Sequence, residues 1–377
     1  MQQAPTKVAL VIRWPTGGIR THVKYIFKYF PPGKYQPVII APDSPETQFL
    51  LENVRDFNPI ARLVKESNVG GFASATLAAI FKDRVRLVHS HGFTSGVMAC
   101  APAVLGRVPH IVTAHDVVTD GLKQKLGSSG QFVLKTSLRL ATIVHAVGND
   151  VAENLSLQVT DAAWLKRKVR VIINGVDVRQ FSNVTPRALR HELQMPEGAF
   201  MIGYMGRFMA QKGFRILIDA VQKLDQELPQ NPFVVVAVGS GGFMIEDQEL
   251  IAKRGLSHRF RFLPLVENPA PTLAAMDCLA MPSRWEAFGV LAAEALCLGV
   301  PLISSNCIGL REATAGSPAK NFDVGDAAQL AAAIRGEMNN PSRREAQTYA
   351  PEAVRRFDVA RSAQQLDSLY DELIHRV

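Results

Sequence analysis

The sequence predicts an α/β protein made of two doubly wound lobes that face a central cleft. Three observations carry this. The chain has 377 residues, long for a single core, and domain sizes favour two lobes of roughly 150–200 residues each. Short runs rich in Val and Ile alternate with longer helix-like segments, in two successive series. The residues just after those runs are glycine-rich or polar, as at the ligand-binding ends of open α/β sheets.

The first series of runs is Val8–Ile12, Pro37–Ala41, Leu87–Ser90, His110–Thr113, Thr142–Val147 and Val169–Ile173. The second is Met201–Met205, Phe233–Val238, Phe260–Leu263, Cys278–Met281 and Pro301–Ser304. Runs this short and this apolar read as parallel strands buried on both faces, and helical spacers between them give βαβ units of Rossmann-like type. The boundary is expected after Asn174-Gly175-Val176-Asp177 and before the strand that begins near Phe200. The stretch between contains Pro186 and Pro196 and lacks a strand of its own. This places a first lobe over residues 1–180 and a second over 181–355. The tail, Pro351–Val377, is helix-like, with Val359, Ala363, Leu366, Tyr370 and Leu373 on one face.

Composition narrows the function classes. A hydrophobic content of 47% suits two soluble cores. Lys7 is followed by only the short apolar run Val8–Ile12 and then Arg13, which is not a secretory pattern, and no run is long enough to span a bilayer. Cys100, Cys278, Cys297 and Cys307 form no CxxC pair and sit among apolar or small neighbours, as buried reduced thiols of a cytosolic protein do. Residues 1–180 carry 22 Lys+Arg against 12 Asp+Glu, whereas the remainder carries 20 against 22. A basic first lobe suits an anionic membrane surface or a phosphorylated acceptor, or is simply a solvated face. Nucleic acid is not expected: zinc-ligand spacing, RNP-like motifs and dense basic tracts are all missing from the sequence.

Three constellations at strand ends carry chemistry. Gly17-Gly18 opens a helix after the first run, where glycine lets a phosphate approach the free N–H groups of the helix start. A tight turn without a ligand would look the same. Gly206-Arg207, with Lys212-Gly213 shortly after, delivers two cations to one rim, and a guanidinium fork beside a compact ammonium suits a diphosphate. Two solvated surface cations are the alternative. In Pro282–Glu294 (PSRWEAFGVLAAE), Glu286 falls in a loop, Phe288-Gly289 leads into a helix, and Glu294 lies within it. The N–H groups near Gly289-Val290 could meet phosphate while the two carboxylates accept hydrogen bonds from hydroxyls on either side. An ordinary acidic helix start explains Glu294 poorly, because an unpaired carboxylate among Ala and Leu is costly.

These segments together resemble the family 4 retaining glycosyltransferases of the GT-B class over nearly the whole chain. The signatures are Gly17-Gly18-Ile19-Arg20-Thr21-His22, His115-Asp116 after a strand, Asn174-Gly175-Val176-Asp177, Gly206-Arg207 with Lys212-Gly213, and Glu286 with Glu294 as the E-x7-E pair. Gly309-Leu310-Arg311-Glu312 resembles a further loop of the family. The resemblance implies that a nucleotide-diphosphate sugar is the donor substrate, with UDP or GDP as the expected nucleotide, and that a glycan or lipid-linked hydroxyl is the acceptor. Arg207 and Lys212 would bind the diphosphate and stabilise its charge as the glycosidic bond breaks. Glu294 would hold the ribose and Glu286 the hydroxyls of the transferred sugar. Gly17, Gly18, Gly289 and Val290 would contact phosphate and sugar, and His115 would sit at the reacting face. Retention follows from the family, through same-face substitution assisted by the leaving phosphate. The family's last helix crosses back onto the first lobe, which suits the tail from residue 356 to 377.

The usual Gly-x-Gly-Pro turn reads Gly239-Ser240-Gly241-Gly242, and Ala313–Asp326 lacks the usual glycine-hydrophobic-valine run. With no Asp-x-Asp and no His/Cys cluster at metal spacing, neither a metal nor a prosthetic group is expected. A dehydrogenase is disfavoured because Met244 stands where the last glycine of G-x-G-x-x-G would be. A non-hydrolysing nucleotide-sugar epimerase and a catalytically silent nucleotide-sugar-binding partner remain as alternatives, the latter weakened by the presence of Arg207 and Glu286. Lys123, Lys125, Lys135 and Arg139 around the partly apolar stretch Phe132–Leu140 suggest peripheral attachment to an anionic membrane. The expected place of work is the cytoplasm, at the inner face of that membrane, in envelope or polysaccharide synthesis.

Overall fold

A parallel strand leaves both faces to be covered and needs a crossover before its neighbour can pair. The computed structural model, which describes residues 4–159 and 162–375, is built on that rule twice. One compact unit comprises the chain up to Gly175 together with the residues from Val359 on, and the other comprises Val176–Asp358.

In the first unit β1 (Thr6–Ile12), β2 (Tyr35–Pro42), β3 (Ile60–Val64), β4 (Leu87–His91), β5 (His110–Ala114), β6 (Ile143–Ala146) and β7 (Val169–Val171) form one parallel sheet in the order β3-β2-β1-β4-β5-β6-β7. The side-chain alternation of β1 explains its two-sided core. Val8, Leu10 and Ile12 pack with the helices Gly17–Tyr29 and Val359–His375, while Ala9 and Val11 pack with Val69–Phe81 and Phe93–Gly106. In the second unit β8 (Phe200–Met205), β9 (Phe233–Val238), β10 (Phe260–Leu263), β11 (Cys278–Met281), β12 (Leu302–Ser305) and β13 (Lys320–Phe322) take the order β10-β9-β8-β11-β12-β13. Each order reverses once, between β1 and β4 and between β8 and β11, and such switch points are where open α/β sheets bind ligands.

β3 and β13 were not among the expected strands. Both are sheet edges. β3 (IARLV) leaves Ala61 and Leu63 exposed, and β13 is only Lys-Asn-Phe, so neither shows the apolar run of a strand buried on both faces. The tail also differs. Pro351 does not begin a helix but lies inside Arg343–Phe357, and the helix ends at the extended Asp358 before Val359–His375 begins. All four cysteines are free and buried. Among the described residues no helix is long and apolar enough to cross a membrane.

The Val359–His375 helix is bound to the first unit by polar contacts as well as by its apolar face. Lys34 Nζ lies 2.7 Å from both Asp367 and Asp371, and the Tyr35 hydroxyl donates to Asp367 at 2.8 Å. Deeper inside, Tyr370 begins a directed chain of hydrogen bonds. The Ile172 carbonyl can only accept, so His145 donates to it through Nε2 at 3.0 Å, and its Nδ1 must then accept from the Thr113 hydroxyl at 2.9 Å. Thr113 in turn accepts from His89 Nε2 at 2.5 Å, which leaves His89 Nδ1 to accept from Tyr370 Oη at 2.6 Å. Burial holds both imidazoles neutral, His145 down to about 4 and His89 well below its ordinary value, so each ring has one donor and one acceptor to place. Tyr370→Phe leaves the His89 lone pair buried without a donor. The expected loss is about 1–3 kcal/mol of stability, read as a lower denaturant midpoint, and an unchanged midpoint would refute this chain.

Candidate active site

At the switch point of the second unit, strand ends approach one another so closely that side chains are excluded. Gly239 closes β9 at φ 150°, and a Cβ there would stand 1.9 Å from the Gly206 carbonyl oxygen. The following turn is held by Phe208 N–H donating to the Ser240 carbonyl at 2.9 Å. This fixes the end of β8, and Arg207 leaves it with an exposed side chain that has no partner among the described residues. Lys212 ends the short 3-10 turn Ala210–Lys212. Gly213 follows in the left-handed region, where a Cβ would meet the Pro282 carbonyl oxygen at 1.9 Å.

That contact brings the Lys212 turn against the loop after β11. Gln211 donates to the Trp285 carbonyl at 3.0 Å, and the Arg284 amide donates to the Gln211 carbonyl at 2.7 Å. From the other side, the Ser305 hydroxyl donates to the Ser283 carbonyl at 2.5 Å and the Glu286 amide to the Ile308 carbonyl at 3.0 Å. Glu286 is therefore placed by main-chain contacts on both flanks. Its Oε1 accepts from Lys212 Nζ at 2.6 Å and from the Ser283 hydroxyl at 2.8 Å. Both contacts fall on one oxygen, so Oε2 keeps its lone pairs for a hydroxyl, and the ammonium keeps two of its three donors for an anion.

Gly289, at φ 81°, precedes the helix Val290–Cys297, whose start has no side-chain cap. Leu310 packs over it so tightly that a Cβ would lie 2.5 Å from Cδ2. Glu294 sits within this helix, only 6% exposed and without a charged or hydrogen-bonding partner among the described residues. Burial alone pushes its carboxyl up to about 8, as expected where no cation offsets the lost solvation. Arg207, Lys212, Glu286, Gly289, Val290 and Glu294 thus belong to the ends of two paired strands and the loops that leave them.

The first unit gathers the remaining expected residues at its own switch point. Gly17 begins the helix Gly17–Tyr29 at φ 53°, and the space above Gly17 and Gly18 is open for at least 4 Å. His22, on that helix, meets His115 edge-on at a centroid distance of 4.9 Å. His115 follows β5, and its Nε2 lies 3.0 Å from Nδ1 of His91 at the end of β4. His91, Thr113 and His145 are in lateral register across β4, β5 and β6. Burial and the neighbouring imidazoles hold His115 well below its ordinary value, so it is neutral at physiological pH. The sequence pattern assigned no role to Ser283 beyond its place at a strand end, and did not assemble His22 with His91. Ser283 stands three residues before Glu286 in the recognised segment, whereas the histidines come from separate elements that only the sheet order joins.

Residues 16–180 match the family described as Glycosyltransferase Family 4, and residues 199–340 match Glycosyl transferases group 1. A D-inositol 3-phosphate glycosyltransferase of Corynebacterium urealyticum is 30% identical, covering 76% of this chain and 71% of its own length. The chain belongs to glycosyltransferase family 4. The enzyme of the same name from Corynebacterium jeikeium is also 30% identical, over 84% of this glycosyltransferase and 80% of its own length. Among solved structures, Anabaena HepE in complex with UDP and glucose superposes with a TM-score of 0.80 at 20% identity, covering 98% of this chain and all of its own. Sucrose-phosphate synthase of Thermosynechococcus elongatus gives 0.80 at 20% identity over 99% of this chain and all of its own. These likenesses show the fold, the two-lobed α/β plan of GT-B glycosyltransferases.

The raised Glu294 carboxyl predicts a pH signature. Because the folded-state value lies above the ordinary one of 4.5, its contribution is fully favourable below that pH. It declines as pH rises towards about 8. Glu294→Gln removes the decline. The melting temperature of the variant relative to the parent should be level near pH 4.5 and rise steadily to pH 8, by the equivalent of a few kcal/mol. A difference that does not change with pH would show that Glu294 ionises freely.

Proposed function

We propose that this glycosyltransferase moves a sugar from a nucleotide-diphosphate sugar to a hydroxyl acceptor with retention of configuration and without a metal at the diphosphate. The observation that carries the reading is the concentration of groups at one switch point: two cations, an uncapped helix start and two buried carboxylates. Arg207 and the spare donors of Lys212 take the diphosphate, together with the N–H groups at Gly289 and Val290. Glu294 accepts from the ribose hydroxyls, and Oε2 of Glu286 from those of the transferred sugar. The residues 181–355 are on this account the donor side, and residues 1–180 with the tail from 356 are the acceptor side. There Gly17 and Gly18 face phosphate or sugar, and His115 offers a neutral imidazole to the reacting sugar.

In the reaction the bond from the anomeric carbon to the β-phosphate oxygen breaks, and the acceptor oxygen bonds to the same face of that carbon. The acceptor proton passes to the leaving phosphate. Negative charge grows on the diphosphate as it leaves, and on this reading Arg207 and Lys212 stabilise it. The nucleotide expected is UDP or GDP, and UDP in complex with HepE supports the former. The relatives named for D-inositol 3-phosphate, together with the basic balance of residues 1–180, support an acceptor that carries an anionic group.

A surface of the first unit supports work at an anionic membrane. Leu105 is 71% exposed and Phe132 70%, with Val104, Val133 and Leu140 also open to solvent. Val104 and Leu140 also line a hollow of about 340 Å³, together with Arg107. Arg107, Lys125 and Arg139 are exposed, whereas Lys123 is bound to Asp120 and Gln158. Exposed apolar side chains with exposed cations on the same segments suit an anionic interface and a lipid-linked or envelope glycan.

Nucleotide release from UDP- and GDP-sugars, with and without inositol 3-phosphate or a membrane glycolipid extract, tests the transfer. Release that requires acceptor supports it, while epimerised sugar from donor alone would support an epimerase instead. Arg207→Ala should lose about 10²–10³ in turnover while staying folded, and near-normal turnover would remove Arg207 from the site. In flotation, vesicles containing anionic lipid should carry the protein at low salt, and Phe132→Ser with Leu105→Ser should release it. Failure to float at low salt rejects the membrane surface.

A further inference from the structure

We propose that His22, His91 and His115, all in the first unit, form a three-histidine site for a divalent transition-metal cation of the zinc class. Each ring places a nitrogen within 4.8 Å of one from both others. His91 Nδ1 and His115 Nε2 are already 3.0 Å apart, close to the roughly 3.3 Å edge of a tetrahedron with bonds of about 2.0–2.1 Å to nitrogen.

The second observation is a deficit. His22 Nε2, the nitrogen left over when Nδ1 meets Asn174, is buried and has no hydrogen-bond partner, although buried ring nitrogens are ordinarily satisfied. The chain from Tyr370 through His89, Thr113 and His145 shows the contrast a few ångströms away, since there every ring nitrogen has its partner. His22 and His91 are 7% and 3% exposed, so bulk water does not make up the difference.

The surroundings suit metal rather than another proton. His22 Nδ1 contacts Asn174 Oδ1 at 2.9 Å. A carbonyl that accepts from one ring nitrogen fixes the tautomer and turns the other lone pair outward, as in the outer shell of metal-bound histidines. The donor set is imidazole alone, which favours zinc, copper or nickel over magnesium or calcium. Three protein ligands leave a fourth position for water or an anionic oxygen, and His115, half-exposed, is the side from which that position is reached.

Stripping the full-length protein, free of any polyhistidine tag, with a chelator and titrating it with Co²⁺ reads the site directly. Transfer activity is not the readout, because a bound cation would engage the ring that the transfer reading gives to the sugar. A single equivalent should bind, with visible absorption bands of low-symmetry nitrogen coordination, and Zn²⁺ should displace it. His91→Ala and His115→Ala should each abolish the bands, and Asn174→Ala should weaken binding 10–100-fold. His115→Ala removes the most accessible ligand and so guards against loss of fold, which circular dichroism checks for every variant. No binding by the parent, or binding that His91→Ala and His115→Ala leave unchanged, overturns the site. The cluster would then be a purely hydrogen-bonded one, its orphaned nitrogens met by buried water.

Discussion

Everything functional in this chain follows from burying a parallel sheet on both faces. Apolar side chains fill most of such a sheet, so Val234, Val235 and Val236 on β9 or Leu10 and Val11 on β1 are fully covered, and the few polar ones buried within strands, such as His89, Thr113 and His145, have to partner one another. Polar groups are displaced to where strands stop, and the one place in each sheet where successive loops diverge is the switch point. Arg207 and Glu286 leave the adjacent strands β8 and β11, and Gly17 and His91 leave β1 and β4, for that single topological reason. The glycines at 213 and 239 are the steric corollary, since backbone from the neighbouring strand end occupies the volume of a side chain.

The two switch points solve the problem of buried polarity in opposite ways. In the second unit, charge is retained: Lys212 and Glu286 neutralise each other, while Glu294 is left buried with nothing to offset it. In the first unit, charge is avoided. Several imidazoles lie within one or two ring widths of each other: burial holds His22, His89, His91, His115 and His145 neutral, and repulsion from neighbouring rings adds to it at all but His145. A neutral imidazole is both donor and acceptor, so such a group can be wired in a direction, which the path from Tyr370 to Ile172 illustrates.

How much of this the amino-acid sequence disclosed depended on how local the pattern was. Central strands such as Phe233–Val238 and Phe200–Met205 were legible because two-sided burial writes an unbroken apolar run. The edges β3 and β13 were not, because an edge strand faces solvent on one side and Arg62 or Asn321 interrupts the run. The Pro282–Glu294 segment was legible as a candidate site because its carboxylates and glycine lie within one loop and helix. Its dependence on Gln211, Ser305 and Ile308 was invisible, since those partners reach the main chain of the segment from elements distant in the sequence. The histidines stood furthest from reach: His22, His91 and His115 are dozens of residues apart, and only the β1–β4–β5 order makes them neighbours.

The helix Val359–His375 has a consequence for how the molecule is made. Its apolar face completes the core formed by Leu10, Ile39 and Ile111, and Tyr370 supplies the terminal donor to His89. On the ribosome those strands emerge first, yet the segment that finishes them is translated only after the whole of Val176–Asp358. For that interval one face of the early sheet is covered only in part, by the helix Gly17–Tyr29, and the histidine chain lacks its end. The later unit, whose residues are continuous in the chain, can close on itself at once. Synthesis therefore runs in one order and completion in another, which makes the nascent first sheet the stage at which a cell's chaperones have most to protect.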